Sequence, residues 1–556
     1  MTGAAVARAA VGQGLRLAGA ALVLHLVLIL PNHPGAMTPG ALILFPLELP
    51  VILLVLMAVP CGRAQALLRG GLAAFLLLLT VQKLGDAAMF TAFNRGFNLM
   101  VDLPLAVAGW RLGSGAVGIP LATLAVVAGL AALSGAGWLI GWALAVWGRV
   151  APRPALRRTV ALGAGLAAML ALAEIGQAMR AWALPATPPG AAFTARVAVE
   201  RVGLYRRTLA DLADFRHAAA TDPLADRAGL MDLLAGRDVL VIFVESYGRA
   251  SLDNPLYAPT HRATLAQAGA DLAAAGLETR SGFLRSPIAG GQSWLAHATF
   301  AAGLGVGNQT RHGALMASDR LTLWQIARDA GYHTLAVMPA ITLPWPECAR
   351  LGFDTLLDRD AMGYAGRPFN WVTMPDQFTL ARFRDRLPPA APRPIFAQIA
   401  LISSHAPWVP VPQMIPWEEV GDGRAFDAMA ATGDAPEVVW RDPDRVRDQY
   451  RQALDYALQA VFGFAAQEAA LRGAEAPLLV VLGDHPAAAF VAQTGGDHVP
   501  LHLIGPPEAL APFDSWGLAP GLLPGPEAPV WPMEEFRDLF VAATASPPAL
   551  QAGRLP

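Results

Sequence analysis

The chain is poor in charge, poor in cysteine and almost without lysine. Only 15% of its 556 residues are charged, 54% are hydrophobic, and the mean hydropathy is +0.41. An ordinary soluble enzyme does not carry that balance, so part of the chain belongs in a bilayer. Two cysteines, Cys61 and Cys348, are too few for a disulfide-stapled fold. The formal net charge of −2 removes the electrostatic reason to expect nucleic acid as a partner. Lys83 is the one lysine among 41 basic residues, a bias that reads as base composition rather than function.

What the chain has instead is long apolar runs, concentrated before about residue 177. They lie near Leu15–Leu30, Ala41–Val59, Gly71–Ala88, Val117–Trp147 and Thr159–Ile175, each long enough to cross a hydrocarbon core of roughly 30 Å as a helix. The fourth is overlong and is expected to tilt or break. Arg8 and Arg16 precede the first run, Arg63 and Arg69 separate the second and third, and Arg149, Arg153, Arg157 and Arg158 separate the fourth and fifth. The excess of arginine marks the cytoplasmic side, so with five spans everything after Ile175 is extracytoplasmic. The segment from Lys83 to Arg111, with three basic residues, runs against this pattern. The first run reads as an uncleaved signal anchor, because more spans follow it. Cys61 then falls at the cytoplasmic membrane edge and Cys348 outside, out of reach of each other.

Residues 178–237 are mixed in polarity, with Pro185, Pro188 and Pro189 near the membrane exit, and are expected as a linker with short helices. From Asp238 onward apolar runs alternate with amphipathic stretches, the pattern of an α/β domain with helices on both faces of a sheet. The expected strands are Val239–Val244, Thr334–Met338, Ile395–Ile402, Leu478–Leu482 and Leu501–Ile504. The expected helices include Thr264–Ala275, Trp294–Ala302, Leu323–Ala330, Gln377–Arg384 and a long one from Asp444 to about Leu471. The expected organisation is a polytopic α-helical membrane domain over 1–177, the linker, and an extracytoplasmic α/β catalytic domain over 238–556.

The chemistry is carried by short motifs at strand edges. Glu245 ends the run Val239–Val244, where open α/β sheets build their sites. Asp484-His485 follows another apolar run at the same kind of edge. Taken singly, the first is a solvated acid and the second a turn; converging, carboxylate and imidazole suit zinc or manganese. Ser293 follows Gly290-Gly291-Gln292 at the start of a helix. A hydroxyl there is most often a cap, but the same place offers backbone N–H groups and a positive dipole end to a phosphate. A bound cation would also lower the pKa of that hydroxyl and make it a nucleophile. His405 and His498 each stand at a strand boundary, structural if alone and suited to phosphate binding or leaving-group protonation if they face the same site.

The order strand-Glu245, Gly-Gln-Ser293, Ser-His405-Ala-Pro, Gly-Asp484-His485 and His498-Val-Pro-Leu resembles the alkaline phosphatase superfamily. Within it the chain resembles the membrane-anchored, sulfatase-like branch: lipoteichoic-acid synthases, phosphoglycerol transferases and phosphoethanolamine transferases. The resemblance covers about Asp238 to Gly505, and more loosely the membrane part. It implies an alkaline phosphatase-like three-layer sandwich, metal ligation by Glu245, Ser293, Asp484 and His485, and Ser293 as the nucleophile, with His405 and His498 catalytic and lining the substrate phosphate. It also implies a divalent metal (Zn or Mn), a membrane phospholipid donor, a glycan or lipid acceptor, and a multi-pass protein of the bacterial inner membrane with its catalytic domain in the periplasm.

Departures from the family pattern refine the expectation. Many such transferases have threonine where Ser293 stands, and either hydroxyl serves. The Cys/Ser-x-Pro/Ala-x-Arg motif of true sulfatases does not fit the sequence around Ser286-Pro287 or Ser293, so sulfate-ester hydrolysis is a minor reading. Lipoteichoic-acid synthases resemble one another in an aromatic followed by an arginine that binds glycerol phosphate. Here Trp345 persists and Glu347 stands near the arginine's place, which tilts the headgroup from phosphoglycerol toward phosphoethanolamine; the alternative is a Trp-Pro-Glu surface turn. Two rival functions remain: a phosphodiesterase or phosphatase that passes the same intermediate to water, and a non-catalytic membrane scaffold or sensor.

Overall fold

A computed structural model describes residues 3–546 apart from 94, 104, 107–108, 111–113, 115–117, 187, 226, 235, 387–392 and 495. The chain divides into two compact units, Met1–Asp211 and Leu212–Pro556.

The first unit is helical, as uncharged Leu- and Ala-rich runs must be where no water is available to satisfy backbone groups. Its helices are α1 (Gly3–Ile29), α2 (Glu48–Ala58), α3 (Arg63–Phe93), α4 (Ile119–Gly148) and α5 (Pro154–Ala178). Leu24, Leu28, Leu56, Ile140 and Leu144 pack together at its centre. The outward faces are apolar too, with Leu124, Leu130, Leu162 and Leu172 exposed, as lipid-facing side chains are.

Among the described residues four helices are long and apolar enough to cross a membrane, against the five expected. The run Ala41–Val59 is the difference. Pro46 stands outside the helix, which begins at Glu48 and has 11 residues, or about 16 Å at 1.5 Å per residue, roughly half a hydrocarbon core. The overlong fourth run is one unbroken helix of 30 residues; Val117, its expected start, and Arg111 lie outside the described residues. The lone lysine has a structural use. Lys83 is fully buried and donates to the Leu28 carbonyl at 3.0 Å and the Thr194 hydroxyl at 2.6 Å. The stretch expected as a linker with short helices holds a single helix of 27 residues, α6 (Phe193–Ala219), because Ala, Leu and Arg outweigh its few β-branched residues.

The second unit is a three-layer α/β sandwich. Its strands are β1 (Val239–Val244), β2 (Glu278–Arg285), β3 (His333–Met338), β4 (Thr355–Asp358), β5 (Ile395–Leu401), β6 (Leu478–Gly483), β7 (His498–Gly505), β8 (Ala519–Pro520) and β9 (Val530–Pro532). They lie in the order β4-β3-β5-β1-β6-β7-β2-β8, with β9 paired to β2. The half from β4 to β6 is parallel, and β7 runs antiparallel to both β6 and β2. Alternation along β1 feeds two cores. Leu240, Ile242 and Val244 meet α7 (Ala258–Ala274), α10 (Asp376–Arg386) and α11 (Pro443–Arg472) on one face. Val239, Val241 and Phe243 meet α8 (Ser293–Ala302), α9 (Leu323–Asp329) and α12 (Phe536–Thr544) on the other.

All five expected strands form within a few residues of their expected bounds. β2, β4, β8 and β9 were not expected. β2 lacks the apolar run that marks a strand because it carries Arg280, Ser281 and Gly282; Ser281 Oγ lies 2.7 Å from His502 Nδ1 of β7, a polar contact inside the sheet.

Gly483, the last residue of β6, is required by close approach. A Cβ there would lie 2.0 Å from the Tyr247 carbonyl oxygen, so Gly483→Ala forces the β1 and β6 edges apart. The expected loss is about 1–3 kcal/mol of stability, read as a lower thermal midpoint of the full chain in detergent. Gly313→Ala, whose Cβ meets nothing within 4 Å, leaves the midpoint unchanged or slightly higher.

Candidate functional site

The site begins with strand register. β1 and β6 are parallel neighbours with Val244 opposite Gly483, so the next residues, Glu245 and Asp484, emerge side by side at the carboxyl edge of the sheet. Both are buried, at 7% and 1% exposure, and His485 is 1% exposed. Glu245, Asp484 and His485 offer ligand atoms all within 4.8 Å of one another. Among the described residues they form the one such group of three or more.

The backbone around them is bent to hold them. Ser246 has φ of 58°, an uncommon left-handed value for serine, and this turn lets its N–H donate to Asp484 Oδ1 at 2.9 Å while its hydroxyl donates to Glu245 Oε1 at 3.1 Å. The His485 N–H donates to the same Asp484 Oδ1 at 2.6 Å. His485 Nδ1 lies 2.9 Å from the Pro486 carbonyl, which can only accept, so the proton sits on Nδ1. Nε2 lies 3.2 Å from Glu245 Oε1, toward which it directs a proton when the ring is charged and, once deprotonated, the lone pair of a metal ligand.

Ser293 reaches this group through a strained turn. Gly290, Gly291 and Gln292 all have positive φ, 75°, 134° and 69°, and the Gly290 N–H donates to the Pro486 carbonyl at 2.9 Å. The turn therefore packs on the segment that carries His485. Ser293 is the first residue of α8, behind Gln292 at the cap position, so its hydroxyl does not cap the helix. It donates to Glu245 Oε2 at 2.8 Å and stands 3.2 Å from His485 Nε2. The four residues expected to share one cation thus meet.

The electrostatics are those of a crowded anionic site. Burial works against charge on Glu245, yet His485 beside it outweighs burial and holds it well below the usual carboxylate range. Burial and the neighbouring charge of Glu245 push Asp484 up to about 8. Burial also opposes a charged imidazole, but Asp484 and Glu245 overcome it and raise His485 to about 10. Two buried carboxylates thus draw positive charge, which side chains supply through His485 beside them and, more weakly, His405. The donor set of carboxylates, imidazole and hydroxyl fits a divalent cation in that role.

The two further histidines differ. His405 is exposed, with Nδ1 2.6 Å from the Ala406 carbonyl, and its charge helps to lower Glu245. Its loop is tied to the site, because the hydroxyl of Ser404 donates to the Glu245 carbonyl at 2.6 Å. Buried Asp376 holds the same loop by accepting from the N–H groups of Ile402 and Ser403 at 2.8 and 3.0 Å. His498 opens β7, and its ring lies 3.6 Å from Asp497, outside the group around Glu245. Trp345 and Glu347 are not at the cation site either. They line a cavity of about 340 Å³ whose other wall is α8 itself, through Trp294 and His297. His297, a turn beyond Ser293, was not singled out from the sequence; the four-residue helical spacing was its one signal.

Residues 237–508 match the Sulfatase family model. The match lies wholly within the second unit and covers just under half of the chain. Among curated proteins none matches it. The lipooligosaccharide phosphoethanolamine transferase EptA from Neisseria meningitidis, an integral membrane protein, is similar at 14% identity over 94% of this chain and 95% of its own, with TM-score 0.49. The lipoteichoic acid synthase LtaP from Listeria monocytogenes is similar at 12% identity over 60% of this chain and 78% of its own, with TM-score 0.38. The phosphoglycerol transferase GacH from Streptococcus pyogenes is similar at 14% identity over 54% and 74%, with TM-score 0.34.

Metal ligands bind deprotonated, so a cation must displace the protons of Asp484 and His485. With these groups near 8 and 10, Mn²⁺ added to the metal-free full chain is expected to release about two protons at pH 7 and about one at pH 9. Apparent affinity accordingly falls as the pH is lowered. Calorimetry in buffers of different ionisation enthalpy counts the protons, and uptake or no release at pH 7 contradicts this charge assignment.

Proposed function

We propose that the protein transfers a phospholipid headgroup, with its phosphate, from a membrane lipid to a hydroxyl of an envelope glycan or lipid, through a covalent intermediate on Ser293. The observation that carries this reading is the 2.8 Å hydrogen bond from the Ser293 hydroxyl to Glu245 within the Glu245, Asp484 and His485 cluster. A divalent cation held by Glu245, Ser293, Asp484 and His485, zinc or manganese by donor type, would supply Lewis-acid charge that lowers the pKa of the hydroxyl and neutralises the phosphate.

The rest is done by side chains of the chain. The Ser293 hydroxyl, held by its hydrogen bond to Glu245 Oε2, gives its proton to solvent, and Oγ attacks the donor phosphorus. The new Oγ–P bond forms as the P–O bond to diacylglycerol breaks, and the diacylglycerol oxygen takes up a proton. The N-terminal N–H groups of α8 face the phosphate oxygens as their charge builds. In this reading His405, on its tethered loop, protonates the departing oxygen, and His498 binds a phosphate oxygen. In the second step His405, now unprotonated, takes the proton of an acceptor hydroxyl as that oxygen bonds to phosphorus, and the Oγ–P bond breaks to regenerate the serine, which recovers its proton from solvent.

The membrane unit suits such a donor, since both phospholipid and diacylglycerol stay in the bilayer. The arginines support an outer position for the domain. Arg149, Arg153, Arg157 and Arg158 lie on the connection from α4 to α5, so a cytoplasmic position for them sends the chain after α5 to the outer side, which in a bacterial inner membrane is the periplasm. This holds whichever way the chain runs through α2.

Incubating the full-length protein with headgroup-labelled phospholipid and Mn²⁺ is expected to leave label on a peptide containing Ser293. Ser293→Ala is expected to abolish the adduct and lower turnover by about three orders of magnitude or more. Label retained by Ser293→Ala contradicts the assignment, and free headgroup with no acceptor-linked product makes the enzyme a hydrolase.

A further inference from the structure

The cavity lined by Trp345 and Glu347 is joined to the nucleophile by one helix. Trp294, His297, Ala298 and Ala301 line it at the spacing of a single helix face, so it opens one residue beyond Ser293 and follows α8. From Ser293 to Ala301 that path rises about 12 Å at 1.5 Å per residue. A substituent on a phosphate at Ser293 Oγ therefore meets the mouth of the cavity first. At about 340 Å³ it lies at the small end of ligand pockets and suits a short headgroup rather than an acyl chain.

Its chemistry is that of a cation site. No lysine or arginine is among its described lining residues, and Glu347 is their one acid. Burial holds His312, whose ring feels the charge of Glu347, below its ordinary value, so at neutral pH it does not neutralise that carboxylate. Burial lowers His297 to about 4, so this ring is uncharged as well. His297 is 8% exposed; Gln398 Nε2 lies 3.4 Å from its Nδ1, so its Nε2 is a buried donor without a partner, suited to an oxygen of the entering group rather than to its ammonium end. Trp294 and Trp345 add indole faces, the preferred aromatic surface for an ammonium group.

We propose that this cavity seats the ammonium end of an aminoalkyl headgroup borne by the transferring phosphate, with Glu347 as its counter-charge and Trp294 and Trp345 as its aromatic walls. The inference rests on the assignment of Ser293 as nucleophile and deepens it by naming the donor class. A glycerol headgroup would occupy the same space but leave the Glu347 charge without a partner in a half-buried place. Primary and quaternary ammonium groups share the required chemistry.

The test uses the full-length protein in mixed micelles with Mn²⁺ and three labelled donors: phosphatidylethanolamine, phosphatidylcholine and phosphatidylglycerol. The wild type is expected to have a higher kcat/KM for an amino donor than for phosphatidylglycerol, and the first two donors tell primary from quaternary ammonium. Glu347→Gln is expected to lower the amino-to-glycerol ratio about tenfold or more, mainly through KM, Glu347→Asp to recover part of it, and Glu347→Arg to invert it. A ratio unmoved in both Glu347→Gln and Glu347→Arg, with Ser293 still labelled, overturns the cavity assignment alone. If no donor labels Ser293 in the wild type, the nucleophile assignment falls and the cavity assignment with it.

Discussion

Two buried carboxylates standing side by side, Glu245 and Asp484, are the constraint on which the site depends. Parallel pairing of β1 with β6 puts them there, and their burial makes their mutual repulsion costly unless the surroundings offset it. The surroundings respond in three ways. Backbone N–H groups of Ser246 and His485 are turned onto Asp484 Oδ1, His485 is oriented through Pro486, and the Ser293 hydroxyl is drawn onto Glu245. Each of these costs something in isolation, as the left-handed Ser246 and Gln292 show. Together they form a cradle for positive charge that a hydrophobic sheet edge would have no reason to maintain.

The same arrangement couples chemistry to recognition. Helix α8 starts at Ser293, beside Glu245, and continues as the wall of the cavity that holds Trp345 and Glu347. In the proposed reaction this rigid element sets the distance between reacting phosphorus and headgroup terminus. The loop carrying His405 is secured from two sides, by Ser404 on Glu245 and by Asp376 on Ile402 and Ser403, so the exposed imidazole stands on a fixed base.

Much of this could be read in the sequence, because the strands that build the site are the most apolar and the residues they present are the most polar. Val239–Val244 followed by Glu245, and Leu478–Gly483 followed by Asp484, are sharp changes over one residue. Ser293 was legible through Gly290-Gly291, which form the turn before it with φ of 75° and 134°. What was not legible lacked such contrast. β2 hides its strand character behind Arg280 and Ser281, α2 is cut short by Pro46 inside a run that hydropathy alone reads as a full span, and α6 resembled a linker because its faces are mixed. His297 and the cavity beside it depend on packing between α8 and the ends of β3 and β5, and no sequence pattern reports that packing.

The central claim is that Glu245, Ser293, Asp484 and His485 hold one divalent cation. Anomalous diffraction from crystals of the full-length protein grown with zinc tests it most directly. The account predicts a single strong scatterer about 2.0–2.2 Å from Glu245, Asp484 and Ser293 oxygens and from His485 Nε2. A stoichiometric metal bound elsewhere, with these four side chains still hydrogen-bonded to one another alone, would contradict it.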